Sequence, residues 1–447
     1  MKLYNRQKKQ LEDFKPQDKN NVKIYTCGPT VYSYAHIGNF ASYIYWDLLV
    51  RTLTANGYKV NRVLNLTDVG HLSSDADDGE DKLEKGAKRE GKTVWEIADK
   101  YIEAFFKDYR ALNLTEPTKI ARATDYIEQD IALVDTLTEK GYTYETTDGI
   151  YFDTKKFKKY PDFAKLDLDK MRAGARVEFS SEKHNVSDFA VWKFIKEGEN
   201  HAMRWDYLGR PGYPGWHLEC STIIHTLLGE PIDIHTGGID HIPVHHTNEI
   251  AQSEAAFEKT LANFWLHANF LTVNGEKISK SLGNTYTLAD LKEQGFSPLD
   301  FKLWVLQGHY RGERNFSFND LEAAKTRRLN WRNRLAFCYQ INPESTFSQE
   351  YALELVSNDL NSSEVLAYID NSTLNLDDWH FVDQLLGLNL SETTPQVSTQ
   401  ILEKINLRET ARKSKDYATA DKCRDDLAAA NITVLDTKDG PIWQYLA

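Results

Sequence analysis

The sequence predicts an α/β protein built on a parallel sheet, and three observations carry that expectation. Near the start, an apolar run at 22–26 leads through a glycine-containing turn into a segment of helical apolar spacing at 39–53. A second apolar run follows in "YKVNRVLNLTD" (58–68). Strand, turn, helix, strand is a βαβ opening, and such units lay their strands parallel. The alternation resumes after about residue 206, with "WHLECSTIIHTLLG" (216–229) as helix, "PIDIHTGG" (231–238) as a strand entering a turn, and "HHTNEIAQSEAAFE" (245–258) as helix.

The elements between follow from local pattern. Gly57 punctuates the first helix. From 73 to 91 charges dominate ("DADDGEDKLEKGAKREG" lies within it), which predicts a solvated, mobile segment. A helical stretch then runs to about Leu112, and "ARATDYIEQDIALVDTLTEKGY" (121–142) reads as a helix ending at Gly141. "YTYETTDGIYFD" (142–153) reads as a hairpin turning at Asp148-Gly149, and "DFAVWKF" (188–194) as a strand. This block interrupts the α/β pattern and is expected to be an insertion. From about 298 the chain is mostly helical. "AAKTRRLNWRNRL" (323–335) carries five basic residues and no acidic one, and "LRETARKSKDYATADKCRDDLAAANITVLDT" (407–437) reads as a helical hairpin followed by a strand.

At 447 residues, with 41% hydrophobic and 12% aromatic residues, the chain has material for several packed cores, and roughly two to four domains are expected. No run is long enough to span a bilayer, and the basic "MKLYNRQKKQ" leads into no apolar region, so no signal peptide and no membrane partner are expected. The four cysteines lie far apart, which suits a reducing cytoplasm better than a disulfide framework. A net charge of −12 disfavours nonspecific coating of nucleic acid, while leaving room for a local basic face.

"HHTNE" sets Glu249 four residues after His245 and three after His246. Residues at i and i+4 share a helix face, so an imidazole and a carboxylate can converge on one ion. Cys220 in "WHLEC" and Cys27 in "YTC" would complete a tetrahedral zinc set, and thiolates disfavour magnesium or calcium. Spacing alone favours two buried cysteines and a surface His–Glu pair. What favours the metal is location: Cys27 ends the first strand, and Cys220 and Glu249 lie on helices flanking the resumed sheet, whose strand ends bound a ligand crevice. Spacing leaves His245 and His246 open, with His225, His235 and His241 nearby.

Two further motifs face phosphate. "AHIGN" fits a helix N-terminus, where Gly38 permits close backbone approach and unpaired N–H groups favour anions. His36 and Asn39 can donate to charge that grows during phosphoryl transfer. "GEKISKSLGN" holds Lys277, Ser279 and Lys280 in a loop able to clamp a triphosphate. "HTGGID" adds Gly238 and Asp240 at a strand end, the latter able to accept from a ribose hydroxyl or an ammonium.

Taken in order, "HIGN" and "KISKS" resemble the paired motifs of class I aminoacyl-tRNA synthetases. "YTCGPTVYSYAHIGN", "NLTDVG", "GWHLECS", "GGIDHIPVHHTNEIAQSEA", "KISKSLGN" and the terminal "ADKCRDDLAAANITVLDTKDGPIW" resemble the cysteinyl-tRNA synthetases within that class, over nearly the whole chain. The resemblance implies a class I Rossmann-type catalytic domain in two halves (1–120 and 206–297) around a connective insertion (121–205). A stem-contact region (298–345), a short helical bundle (346–402) and a C-terminal anticodon-binding module (403–447) would follow. It implies one zinc ion on Cys27, Cys220, His245 and Glu249 that binds the substrate's thiolate, and Gly28, Thr67 and Trp216 around the amino acid. It places His36, Gly38, Asn39, Gly238, Asp240, Lys277, Ser279 and Lys280 around ATP and its magnesium, with His36, Asn39, Lys277 and Lys280 as the catalytic set. Its implied partners are tRNA(Cys), ATP and L-cysteine; a monomer is expected. Zinc prefers sulfur to a hydroxyl strongly enough that no editing domain is needed, which suits the small central block.

The sequence departs from the family pattern in three places. Asn39 stands where many members have a second histidine, Val244 and Thr247 replace the commoner proline and glutamate, and the region from about 345 to 400 is shorter than usual. A zinc ligase with the same cysteine-activating chemistry and a small amino-sugar acceptor, the mycothiol-pathway enzyme, would not need the terminal block, in which Arg412, Arg424 and Trp443 are candidate contacts to unstacked anticodon bases. A noncatalytic zinc-stabilised RNA-binding protein would not need His36, Lys277 and Lys280 together.

Overall fold

The computed structural model describes residues 1–69, 82–167, 182–196, 198, 201–279, 283–438 and 440–446. At its centre lies a five-stranded, all-parallel sheet. Its order is Ala262–Ala268, Ile232–Gly238, Val22–Thr26, Val60–Leu66, Lys119–Arg122. Val22, Ile24, Tyr25, Val63, Leu64, Leu66, Ile232 and Ile234 are all buried, as near-continuous apolar runs in a sheet covered on both faces require. The first strand sits in the middle. The chain builds outward through Val60–Leu66 and Lys119–Arg122, then returns to build on the other side. Strand order therefore reverses between Val22–Thr26 and Ile232–Gly238, and the carboxyl ends there open a crevice.

Helices Ile37–Ala55, Trp216–Leu227 and His245–Phe257 and strand Phe189–Phe194 lie where the apolar spacing puts them. Three expectations need correction. The helix predicted from 121 begins at Ile127, because Ala121 and Arg122 pair with Asn65 and Leu66 as the sheet's edge strand. The hairpin turns at Thr147-Asp148, since Thr146 pairs with Gly149; Asp148 is held by Thr146 Oγ1 at 2.9 Å and by Lys193 at 2.7 Å. The charged stretch is a helix over Lys82–Glu90, with Leu83 and Ala87, one turn apart, buried; residues 73–81 of that stretch lie outside the described residues.

The middle block forms an antiparallel sheet in the order Thr143–Thr146, Gly149–Phe152, Phe189–Phe194, Arg210–Pro214, Trp205–Tyr207. Its ladder continues past residue 205 to Pro214. Ile150, Phe152, Phe189, Val191 and Trp192 pack on Leu133, Val134 and Leu137 of helix Ile127–Glu139, in a core shared with Leu218, Ala251, Ala255 and Ala256 of helices Trp216–Leu227 and His245–Phe257. In the C-terminal half, helix Phe318–Cys338 carries the basic run, and four of those cations serve intramolecular packing. Arg327 pairs with Asp370 at 2.5 Å and Arg328 with Asp300 at 2.6 Å, Arg332 donates to the Thr393 carbonyl at 2.6 Å, and Arg334 donates to that of Ile369 at 3.0 Å. Helices Thr399–Lys413 and Tyr417–Ala429 and the hairpin Ile432–Thr437/Gly440–Tyr445 close the chain. Trp443 is buried there among Ala336, Ile405, Leu427 and Ile432, so it is a core residue and not an exposed stacking platform. Arg412 pairs with Asp436, and Arg424 with Asp421 at 3.0 Å.

One buried group makes this fold sensitive to alkali. Asp130, on the helix that packs against Trp216–Leu227, is wholly buried, and neither carboxyl oxygen has a partner. Burial, weakly opposed by Thr222, pushes its pKa up to about 8. Between roughly pH 4 and pH 8 the folded chain keeps a proton that the unfolded chain has released, so this group's contribution to stability falls as pH rises through that window. Asp130→Asn removes the titration. We expect thermal and denaturant unfolding to show the variant gaining on the parent from pH 5 to pH 8, by roughly 1–3 kcal/mol at the upper end. Parallel stability curves for the two proteins would rule the explanation out.

Candidate active site and metal centre

The crevice is a pocket of about 380 Å³ at the switch point, lined among others by Cys27, Gly28, His36, Gly38, Asn39, Thr67, Trp216, Cys220, Gly238, Asp240, His245 and Lys277. Its floor is a cluster of soft and charged donors. One atom each of Cys27, Cys220, His245 and Glu249 lies within 4.8 Å of the others, and all four residues are buried. They come from the end of the first strand and from two helices, and the parallel sheet brings them together.

The electrostatics of this floor call for positive charge. His245 Nε2 stands 3.2 Å from Glu249 Oε1, and His235 Nε2 stands 3.0 Å from Oε2. Burial lowers the His245 pKa, but Glu249 and Cys220 outweigh it and push the ring up to about 10. Burial favours the neutral carboxyl of Glu249, yet His235 and His245 hold it well below the carboxylate range. Burial raises both thiols, Cys220 most. Two thiols, an imidazole and a buried carboxylate at this spacing are a donor set that fits a tetrahedral, thiophilic cation. The His–Glu pair is therefore buried, not on the surface. His246, the alternative ligand, belongs to two other groupings, with Cys27 and His241 and with His235 and Glu249; its Nε2 is 3.4 Å from Cys27 Sγ and its Nδ1 2.8 Å from His267.

The walls explain several predicted residues. A side chain on Gly28 would collide with the Asn65 carbonyl oxygen, and the Gly28 N–H donates to Asn65 Oδ1 at 2.8 Å. Asn65 Nδ2 also donates to Thr67 Oγ1 at 3.2 Å, and Thr67 bridges to Thr30, so the ends of the first two strands are laced together. Trp216 opens its helix and stacks on His245 at 4.6 Å and 29°. Asp240 is exposed on a short turn after Gly238.

Opposite lies the N-terminus of helix Ile37–Ala55. His36 and Asn39 cap it reciprocally. The Asn39 N–H donates to His36 Nδ1 at 3.3 Å, and the His36 N–H donates to Asn39 Oδ1 at 3.0 Å. With Nδ1 accepting, the neutral ring carries its proton on Nε2. The Ile37 N–H is already committed to the Tyr286 carbonyl at 2.8 Å. Gly38 was expected to admit a ligand; what a Cβ would meet is Ile278 Cδ1 at 2.9 Å and the His36 ring at 3.0 Å. The two phosphate-facing motifs are thus in contact. Lys277 is exposed on the strand Glu276–Lys277, and Ser279 is half-buried; Lys280 lies outside the described residues.

Two residues that the motif reading passed over hold this arrangement. Asn284, inside the quoted "KISKSLGN", accepts from the Ser279 N–H at 2.8 Å and donates to the Lys277 carbonyl at 3.1 Å, pinning the loop. Asn65, inside "NLTDVG", laces the strand ends. An asparagine at a strand end or in a loop, able to bond nearby backbone through its side chain, is the sequence signal for both.

Comparison with known proteins gives a consistent answer. Residues 13–326 match the family model described as tRNA synthetases class I (C) catalytic domain. "Cysteine--tRNA ligase 1" of Burkholderia lata is 43% identical, covering 98% of this chain and 95% of that protein. "Cysteine--tRNA ligase" of Treponema denticola is 37% identical over the full length of both. Among solved structures, Mycobacterium tuberculosis methionyl-tRNA synthetase in complex with methionyl-adenylate superposes with a TM-score of 0.58 at 14% identity, covering 87% of this chain and 84% of that one. That likeness speaks for the fold, a class I Rossmann-type sheet followed by helices. Among the described residues no helix is long and apolar enough to cross a membrane. With matches of this identity over nearly its whole length, the chain belongs to the cysteine–tRNA ligase family of class I tRNA synthetases.

Proposed function

We propose that the protein joins L-cysteine to tRNA(Cys) in two steps at this pocket, using ATP with magnesium, and that zinc on Cys27, Cys220, His245 and Glu249 recognises the substrate's sulfur. The observation that carries the reading is the convergence of those four donors, three of which, Cys27, Cys220 and His245, line the same pocket as His36, Asn39 and Lys277. Zinc, when bound there, supplies a soft Lewis acid that takes a thiolate in preference to a hydroxyl. The remaining work belongs to the chain. Gly28, Thr67 and Trp216 bound the space beside the floor and orient the amino acid. Its carboxylate attacks the α-phosphorus of ATP, forming a cysteinyl adenylate and expelling pyrophosphate. His36 Nε2–H and the Asn39 amide donate to phosphate oxygens as charge grows, and Lys277, Ser279 and Lys280 hold the leaving group. Gly238 and Asp240 face the adenylate. A ribose hydroxyl at the end of the transfer RNA then attacks the acyl carbon, breaking the acyl–phosphate bond, so that AMP and a proton leave and the aminoacyl ester remains. No side chain becomes covalent; positioning and electrostatics supply the rate.

The helical segment 298–345, the bundle 346–402 and the module 403–447 are assigned to the stem and anticodon of the transfer RNA, with a monomer in the cytoplasm as the working unit. The test is cysteine-dependent exchange of labelled pyrophosphate into ATP by zinc-loaded protein, followed by charging of tRNA(Cys). No exchange would remove the reading, and exchange without charging would point to a small-molecule acceptor.

A further inference from the structure

Tyr25 stands two residues before Cys27 on the central strand, so both side chains leave the same face of the sheet. It is wholly buried and packs in one cluster with Cys27, Cys220, Ile223 and Ile224. It pairs in register with His235 on the neighbouring strand, and the two rings meet edge-on at 5.2 Å and 63°. The ring is therefore fixed by the sheet and by its neighbours. Its hydroxyl makes no hydrogen bond, and the Cys220 side chain packs in the same buried cluster. The other tyrosine beside Cys27 differs, because the Tyr43 hydroxyl donates to the Cys27 carbonyl at 3.4 Å.

A hydroxyl this deep is costly unless something accepts its proton. A neutral thiol is a weak acceptor, whereas a thiolate is a strong one. We infer that Tyr25 is a positioning residue of the metal centre, its O–H donating to the Cys220 sulfur when that sulfur holds the cation. The inference rests on the zinc reading above and adds to it a group outside the ligand set. Such a bond draws electron density from the thiolate and leaves the metal a stronger acceptor for the incoming substrate sulfur.

The experiment compares full-length wild type with Tyr25→Phe. Zinc affinity is measured by chelator competition, and the sulfur-to-metal charge-transfer band is recorded after substitution with cobalt(II). The expected result is an affinity lower by about tenfold or more and a band moved to longer wavelength, because an undonated thiolate is easier to oxidise. The metal-free variant should unfold at the same temperature as wild type or higher, since a partnerless buried hydroxyl is gone. Unchanged affinity and an unchanged band would overturn the inference while leaving the zinc reading intact. Failure of wild type to bind zinc stoichiometrically would overturn both.

Discussion

On the zinc reading proposed above, Cys220→Ser should abolish metal binding at the pocket floor. A hydroxyl does not ionise at neutral pH and is a poor ligand for a soft cation. Zinc on a complete tetrahedral set is worth about 10–16 kcal/mol, so losing one of four donors should cost roughly a hundredfold or more in affinity. Glu249 and His245 would remain, with burial working against the charge they carry. The variant should purify with substoichiometric zinc, and its KM for cysteine should rise with the loss of metal. ATP affinity should change little, because the residues proposed to hold it, His36, Asn39 and Lys277, are organised by their own cap and by Asn284. Cys338→Ser is the control, since that thiol is buried far along the chain on helix Phe318–Cys338, bonded to the Leu374 carbonyl. Elemental analysis and two separate binding titrations decide the matter. Full zinc content in Cys220→Ser would remove Cys220 from the ligand set, and an equal loss of both substrates would mean a damaged fold.

The sequence disclosed this site unevenly, for physical reasons. Each proposed ligand is chemically conspicuous, but two strands of the central sheet and the strands of the antiparallel block lie between Cys27 and Cys220 in the chain, so spacing could not show that they meet. The order of motifs could, because a βαβ chain that returns to its first strand must bring those ends together. The cap formed by His36 and Asn39 was readable only as a phosphate site. A histidine and an asparagine three apart also satisfy a helix start reciprocally, and the structure has them doing so. Lys119–Arg122 escaped notice because a four-residue edge strand shows no usable period. Trp443 looked available because the terminal block is polar locally. Its apolar partners, Ala336, Ile405, Leu427 and Ile432, are scattered over about a hundred residues, and only the folded chain assembles them.

The same holds for the group expected to matter most for stability. Asp47 sits in the middle of helix Ile37–Ala55, wholly buried, an unremarkable aspartate in a run of aromatic and aliphatic residues. It accepts from Arg51 Nε at 2.7 Å, from Lys302 Nζ at 2.8 Å and from the Thr115 N–H at 2.7 Å. Arg51 reaches on to the Asn113 and Gln384 carbonyls at 2.8 and 2.9 Å, and Lys302 to that of Asn113 at 3.0 Å. The helix whose first turn carries His36 is thereby tied to helices Pro298–Leu306 and Leu376–Leu386. Burial opposes ionisation of Asp47, but Lys302 and Arg51 prevail and hold its carboxyl below the usual range; burial pulls Lys302 down to about 8, so at pH 7 it is charged. Asp47→Ala leaves that ammonium buried without its counter-charge, and we expect denaturant unfolding to show a loss of roughly 3–5 kcal/mol. In the parent, the stabilisation from Asp47 is fully present above about pH 4 and drains as pH falls further; in the variant that acid limb should flatten. Adding Lys302→Met should restore much of the loss, because the penalty comes from the stranded charge more than from the missing attraction. A cost below about 1 kcal/mol, the range of exposed pairs, would show that the cluster is solvated and does not clamp the helix. A double variant no better than the single one would locate the loss in the Arg51 contacts instead.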